Sequence, residues 1–165
     1  MGLNPTLRMR RTVSAELPTS NTRAVDHQYF IRAIREKVFQ AITDPVWLVR
    51  WLADHAELEP RKGGRYSLGW NGGPTHTGIV LEFKPHEALS LAWDWEGVDL
   101  HGTVFSLSVE TKDDGTLFRV EHSGFPRLEA WSDLYGGAEW GWTYFAMNLK
   151  SVLETGHDLR AKYDG

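Results

Sequence analysis

Five stretches in the middle of the chain alternate between apolar and polar residues, and short turns separate them. The positions on their predicted apolar face are Tyr66, Leu68 and Trp70; Ile79, Leu81 and Phe83; Leu89, Leu91, Trp93 and Trp95; Phe105, Leu107 and Val109; and Phe118, Val120 and His122. A period of two places these side chains on one side of each strand, which predicts antiparallel strands with one buried face. The segment from Arg23 to Ala33 predicts one more strand before them.

A segment between the first strand and this series has helical spacing instead. Residues 35–53 predict two short helices, because Pro45 interrupts the pattern. Asp44 precedes this proline and can serve as the N-cap of the second helix, with Pro45 near its first position.

The end of the chain predicts one long helix over residues 128–155. Its apolar stripe consists of Leu134, Ala138, Trp142, Phe145, Leu149 and Val152. Gly156 is suited to a C-terminal cap, because a glycine often follows the last helical residue. Gly136, Gly137 and Gly141 weaken the first half of the helix, and we expect them to mark a bend or a close approach to the sheet.

The order of these elements predicts an α+β fold. A sheet with one apolar face must be covered, and the only long amphipathic element is the last helix. The sheet should therefore wrap around this helix and leave a cavity beside it, near the short helices. We expect residues 23–158 to form a single domain, with a disordered tail at 1–22 and a C-terminal tail at 159–165.

The composition excludes several kinds of function. The 165 residues include no cysteine, so a disulfide, a thiol nucleophile and a cysteine metal site are all absent from the sequence. The formal net charge of -4 disfavours non-specific binding to nucleic acid. No segment reaches the roughly 20 apolar residues of a membrane helix. We expect a cytoplasmic protein that has neither nucleic acid nor membrane as a partner.

The eight tryptophans carry the candidate binding site, because tryptophan either fills a core or lines a surface for a ligand. A cavity between sheet and helix would be lined by residues from both. The predicted lining residues are Trp51, Trp70, Trp93, Phe105, His122, Trp142 and Phe145. Plain core packing is the alternative for each of these. Trp131 and Trp140 fall off the helical stripe, and we expect them at the cavity mouth or on the surface.

His122 is the most informative polar residue, because the alternation places it on the apolar face. An inward histidine is usually satisfied by an internal hydrogen bond. Alternatively, it contacts a ligand or acts as a general base. Glu139 is its candidate partner for a catalytic role, but no residue is assigned as catalytic.

The sequence has no recognisable pattern of metal or phosphate ligands. His76, His86 and His101 fall in or near turns or strand ends and lack a spacing such as His-x-x-x-His. The glycine pairs lie between strands, so they indicate hairpin turns. We therefore expect neither a metal nor a cofactor.

Four segments resemble one known family. “REKVFQAITDPVWLVRWL” is similar to the first helices of that family, and “LEPRKGGRYSLGW” to the start of its next strand. “HSGFP” resembles its last strand end, and “GWTYFAMNLKSVLE” resembles its C-terminal helix. The family is that of the activator of heat-shock-protein ATPase homologues (AHSA type). It belongs to the helix-grip superfamily, also called START-like or SRPBCC. The resemblance covers residues 23–157.

The resemblance implies a curved antiparallel sheet that grips a long C-terminal helix, with two short helices after the first strand. Proteins of the superfamily often bind apolar ligands between sheet and helix. We therefore expect a cavity-type binding protein for a small apolar or aromatic molecule. Two alternatives stay open: a chaperone-associated stress protein with a chaperone as partner, and a polyketide cyclase- or hydrolase-like enzyme acting in the cavity. Exposed edge strands make a homodimer a further expectation.

Overall fold

The computed structural model describes residues 21–93 and 102–160. In chain order the elements are β1 (Thr22–Ile31), α1 (Arg35–Thr43), α2 (Pro45–Trp51), β2 (His55–Leu58), β3 (Arg65–Gly69), β4 (Thr75–Lys84), β5 (Ala88–Trp93), β6 (Thr103–Lys112), β7 (Gly115–Pro126) and α3 (Ser132–Thr155). Trp95, His101, residues 1–20 of the predicted N-terminal tail and residues 161–165 of the C-terminal tail lie outside the described residues.

The seven strands form one antiparallel sheet in the order β1-β7-β6-β5-β4-β3-β2. This sheet curves around α3, which covers its apolar face. The buried side chains of the helix are Ala138, Trp142, Ala146, Asn148, Leu149 and Val152. The α+β helix-grip prediction is therefore confirmed, and β1 and β2 are the two edges of the sheet.

The strand register explains how the apolar positions meet across the centre of the sheet. In β5, β6 and β7, the burial of side chains alternates as the sequence predicts. Leu91 lies opposite Phe105, and Phe105 lies opposite His122. One row of inward side chains thus crosses three strands and includes the histidine.

The predicted apolar face of β4 is wrong in phase. Ile79 and Leu81 are 46% and 41% exposed, whereas Val80 is fully buried. The pairing of β4 with β5 shifts by one residue between Val80 and Glu82, so Leu81 occupies a bulge. Beyond the bulge, Phe83 packs against the core as predicted. A bulge reverses which residues face inward, and simple alternation does not reveal it.

The two short helices form where the sequence places them. The Asp44 side chain accepts a hydrogen bond from the Val46 amide at 3.0 Å, and Pro45 is the first residue of α2. Trp47 is only half-buried. Lys37 Nζ lies 3.8 Å from the centre of its ring, and the Arg50 guanidinium lies 4.2 Å from it. The cap prediction is confirmed, and the contact between Lys37 and Trp47 links α1 to α2.

The three glycines of α3 neither interrupt the helix nor mark a close approach to the sheet. The helix is continuous from Ser132 to Thr155, and a 3-10 turn at Glu129–Trp131 precedes it. A Cβ atom added at Gly136, Gly137 or Gly141 would have no neighbour within 4 Å. Packing of the apolar stripe stabilises the helix despite the low helix propensity of its glycines.

The segment after α3 is anchored to the domain. Gly156 takes a left-handed conformation with φ of 77°, as the predicted cap requires. The backbone amide of Leu159 then donates to Asn148 Oδ1 at 2.6 Å. Arg160 donates to the carbonyl oxygens of Ala53 at 3.1 Å and Val49 at 2.8 Å. The first two residues of the predicted C-terminal tail are thus bound to α3 and to the end of α2.

Candidate functional site

A cavity of about 560 Å³ lies between the first half of α3 and the inner face of β4 and β5. We call it the main cavity. Its described wall consists of Trp70, Pro74, His76, Trp93, Asp133, Leu134, Gly137, Ala138, Trp140, Gly141, Trp142 and Phe145. His76 and Asp133 are the only ionisable side chains in this wall as far as the structure describes it. A pocket of this size with few polar groups suits an apolar molecule.

The helix side of the main cavity owes its space to small residues. Gly137 and Gly141 lie one helical turn apart and both line the cavity, with Ala138 between them. Neither glycine has an atom within 4 Å of the position that a Cβ would take. Larger side chains at these positions would extend into the open space of the cavity. The two glycines thus keep room for a ligand at a cost in helix stability.

The sheet side of the main cavity is an aromatic wall. The His76 ring stacks on Trp93 with a centroid distance of 4.2 Å, and Trp70 lies edge-on to His76 at 6.1 Å. Trp70 is held in place because its indole N–H donates to the Leu52 carbonyl at 2.8 Å. These contacts give the wall a fixed shape before any ligand binds.

At the cavity mouth, Trp140 is 72% exposed and stacks face to face on Tyr144 at 5.6 Å. This position agrees with the expectation for Trp140. Trp131, in contrast, is buried and packs edge-on against Phe125 at 6.3 Å. The expectation for Trp131, at the mouth or on the surface, is therefore wrong, because the 3-10 turn before α3 directs its side chain inward.

Of the seven predicted lining residues, the structure places Trp70, Trp93, Trp142 and Phe145 in the cavity wall. Trp51 and Phe105 lie behind the wall. The indole N–H of Trp51 donates to the Ala41 carbonyl at 2.8 Å within a buried contact between α1 and α2. Phe105 stacks in parallel on Trp142 at 4.0 Å. Phe105 thus supports the lining from behind, whereas Trp51 belongs to the packing of the two short helices.

His122 also lies behind the wall, at the centre of a hydrogen-bonded chain. Trp142 Nε1 donates to His122 Nδ1 at 2.9 Å, and His122 Nε2 lies 2.7 Å from Thr103 Oγ1. Thr103 Oγ1 donates in turn to the Trp93 carbonyl oxygen at 2.9 Å. Two cavity-lining tryptophans, one on α3 and one on β5, are therefore connected through one buried histidine.

The hydrogen-bond donors next to His122 determine which of its two ring nitrogens carries the proton. An indole N–H can only donate, so Nδ1 of His122 is the acceptor and Nε2 carries the proton of the neutral ring. The threonine hydroxyl accepts a hydrogen bond from Nε2 and donates one to the Trp93 carbonyl oxygen. Burial, and to a smaller extent the nearby His76, lowers the pKa of His122 to about 3. The ring is therefore neutral at pH 7, and the lone pair on Nδ1 already accepts the hydrogen bond from Trp142.

Glu139 does not meet His122. Its carboxylate accepts a hydrogen bond from the Tyr135 hydroxyl at 3.3 Å and lies 3.6 Å from His27 Nε2 on β1. The structure thus directs the two catalytic candidates to different partners. The arrangement of His122 is that of a structural histidine.

A second cavity, of about 500 Å³, adjoins the main cavity. We call it the polar cavity. Its described wall consists of Asp54, Trp70, Asn71, Tyr144, Phe145, Asp158 and Arg160. Trp70 and Phe145 line both cavities and stand with their ring centres 6.1 Å apart. The two spaces are thus separated by one pair of aromatic side chains.

His76 and Arg160 are site residues that sequence reasoning missed. The register pairs His76 with the buried Leu68, which shows that His76 faces inward before the bulge of β4. Gly78 is two residues further along and lies on the same face of β4. A Cβ there would lie 2.8 Å from the Ala92 carbonyl oxygen, so this face is closely packed. Arg160 offered no local signal, since its partners at Val49 and Ala53 are more than a hundred positions away in sequence.

The described part of the chain contains neither a metal-binding cluster nor a membrane-spanning helix. Among residues 21–93 and 102–160, no group of three or more histidine and acidic side chains is placed to hold a metal ion. The described helices include none that is both long and apolar enough to cross a membrane.

The fold and the cavity define a helix-grip domain with an apolar space between its sheet and its long helix. Residues 32–154 match the family described as “Activator of Hsp90 ATPase homolog 1-like protein”. This match extends over well more than half of the chain, so the chain belongs to that family and the resemblance is confirmed. No curated protein matches the sequence.

Solved structures show the same fold. Protein MLL2253 from Mesorhizobium loti is 28% identical, with a TM-score of 0.74, over 82% of this chain and 99% of that one. The Aha1 dimer from Colwellia psychrerythraea is 24% identical, with a TM-score of 0.72, over 81% and 98% of the two chains. CalU16 from Micromonospora echinospora is 23% identical, with a TM-score of 0.64, over 84% and 78%.

Proposed function

We propose that the protein binds a small apolar or aromatic molecule in the main cavity. The single observation that supports this most is the cavity wall itself, which combines four of the predicted aromatic residues with two glycines that leave space. A helix that serves only as core would gain stability from alanine at those two positions. The glycines are therefore better explained by a cavity that has to stay open.

The driving force for binding would be burial of apolar surface, at about 25 cal/mol for each Å² removed from water. Trp93 and Trp142 would contribute large flat contact areas, and the chain through His122 would hold their orientation. A ligand would meet few polar groups in the wall, so shape and aromatic contact would decide its affinity more than hydrogen bonding.

The first experiment is native mass spectrometry of the purified protein, followed by denaturing extraction of any bound species. A discrete extra mass that disappears on denaturation would support the proposal and identify the chemistry of the ligand. Apo protein that also binds none of a panel of aromatic compounds would contradict it.

A cavity-filling substitution tests whether binding occurs in the main cavity. We expect Gly141→Leu to lower the affinity for an aromatic probe at least tenfold, because the leucine side chain would occupy the space of the ligand. Gly136→Leu is the matched control, since Gly136 lies on the same helix in open space and outside the described cavity wall. Equal affinities of the two variants for the probe, measured by calorimetry, would place the ligand elsewhere.

Association with a chaperone is a second candidate, favoured by the family match. The test is the ATPase rate of the purified host chaperone with and without this protein. An increase that Gly141→Leu leaves unchanged would indicate a function separate from the cavity. A homodimer stays a prediction, supported by the relative whose structure is described as a dimer, and light scattering would measure it.

A further inference from the structure

The charges around the two cavities favour one chemical class of ligand. Within the described walls the acidic residues are Asp54, Asp133 and Asp158, and Arg160 is the only permanent cation. The formal sum of these four charges is negative. An anionic ligand would therefore meet repulsion, whereas a cationic ligand would not.

Arg160, the one permanent cation in the described cavity walls, is not available to a ligand. Arg160 forms hydrogen bonds with the Asp158 carboxylate through Nε at 3.1 Å and Nη2 at 3.0 Å. Its Nη1 and Nη2 also donate to the carbonyl oxygens of Ala53 and Val49. Burial raises the pKa of Asp158, but hydrogen bonds from Arg160 and Asn148 outweigh this and lower it, so the Asp158–Arg160 pair stays ionised and mutually neutralised.

The carboxylate of Asp54, in contrast, has no cationic partner within residues 21–93 and 102–160. Its Oδ2 accepts the backbone N–H of Asn71 at 2.7 Å, and no ion pair among the described residues includes Asp54. The Tyr144 ring lines the same polar cavity. A carboxylate and an aromatic face together are suited to a protonated amine, through an ion pair and a cation–π contact.

The two cavities are close enough for one molecule to use both. Trp70 and Phe145 belong to both walls, and Asn71, which binds Asp54, directly follows Trp70 in the chain. We propose that the ligand is a cationic amphiphile. Its apolar or aromatic body lies in the main cavity, and its protonated amine reaches Asp54 beyond Trp70 and Phe145. This inference rests on the proposed binding function and adds the charge of the ligand.

Three compounds with the same aromatic body test the charge preference: phenylbutylamine, phenylbutanol and phenylbutyrate. At pH 7 and moderate salt they carry a positive, a neutral and a negative end. We expect calorimetry to show the amine binding about tenfold more tightly than the alcohol, with the acid weakest. Asp54→Asn should reduce the advantage of the amine over the alcohol to less than about threefold and leave the affinity for the alcohol unchanged.

The control is Glu57→Gln, which makes the same change in net charge at an exposed carboxylate outside both cavity walls. Equal binding of the three compounds to the wild type would overturn the cationic preference and leave the cavity function intact. An amine preference that Asp54→Asn and Glu57→Gln reduce equally would also overturn it, since net charge alone would then explain the result. Absence of binding by all three compounds would count against the proposed function itself.

Discussion

The two halves of α3 differ in what they contribute. Residues 132–145 contain all three glycines of the helix and line the main cavity with small residues and aromatic rings. Residues 146–155 contain the closely packed Ala146, Leu149 and Val152, together with the fully buried Asn148. The first half leaves the space of the main cavity open, and the second half packs closely against the rest of the domain.

This division explains how a helix can carry three glycines and remain continuous. Each glycine costs about 1 kcal/mol relative to alanine in a helix interior. Apolar packing and buried hydrogen bonds in the second half offset that cost. We infer that stability and binding can be altered separately in this protein, and the following predictions test that separation.

The largest effect is expected at Asn148. Its Nδ2 donates to the Trp51 carbonyl oxygen and to Asp158 at 2.9 Å each, and its Oδ1 accepts from the Leu159 amide. Asn148→Ala leaves these groups unsatisfied and should lower the free energy of unfolding by about 2–4 kcal/mol. Urea unfolding measures this change, and probe affinity at a temperature where the variant is folded should not change.

The matched control for this prediction is Met147→Ala. Met147 is the preceding residue and is exposed, so its substitution should change the free energy of unfolding by less than about 0.5 kcal/mol. A loss in Asn148→Ala no greater than that in the control would show that the second half of α3 is not the main anchor.

The next effect is a pH dependence that comes from the histidine behind the cavity wall. The pKa of His122 is about 3 in the folded protein, and an unfolded histidine titrates near 6.5. Between these values the unfolded chain binds a proton that the folded protein does not. The contribution of the neutral ring to stability is therefore complete above pH 6.5 and is lost as the pH falls toward 3.

Between pH 6.5 and 5, His122 should account for a fall of up to about 1.4 kcal/mol in the free energy of unfolding per pH unit. Urea unfolding at several pH values measures the slope, and His122→Gln supplies the reference without this titration. While the domain stays folded, His122 remains neutral and keeps its hydrogen bond to Trp142. Probe affinity should therefore weaken only when the domain begins to unfold. Parallel slopes in the wild type and the variant would contradict the neutral buried ring.

The smallest effect is a gain in stability. Gly136→Ala and Gly137→Ala should each raise the free energy of unfolding by about 0.5–1 kcal/mol, because neither Cβ meets another atom and alanine is the better helix former. The two variants should differ in binding, since only Gly137 lines the main cavity. Thermal melts and probe titrations measure the two effects, and a matching affinity loss in both variants would contradict the division between them.

Much of the fold could be predicted from local pattern. The alternation in β5, β6 and β7, the helical stripe of α3, the Asp44 cap and the Gly156 cap all depend on neighbours within a few positions. The phase of β4 could not be predicted, because the bulge at Leu81 is set by pairing with β5 and the sequence shows no mark of it. The inward position of His76 was missed for the same reason.

The candidate site divides in a similar way. Periodicity alone indicated that Trp93, Trp142 and His122 face inward, and it indicated equally that Phe105 does. Only the tertiary structure decided which of these reach the cavity and which lie behind it, because the position of α3 over the sheet separates lining from support. It also brought Asp54 and Arg160, which are far apart in sequence, to one cavity. Local periodicity is a property of neighbouring residues, whereas the shape and charge of a cavity depend on packing between distant ones.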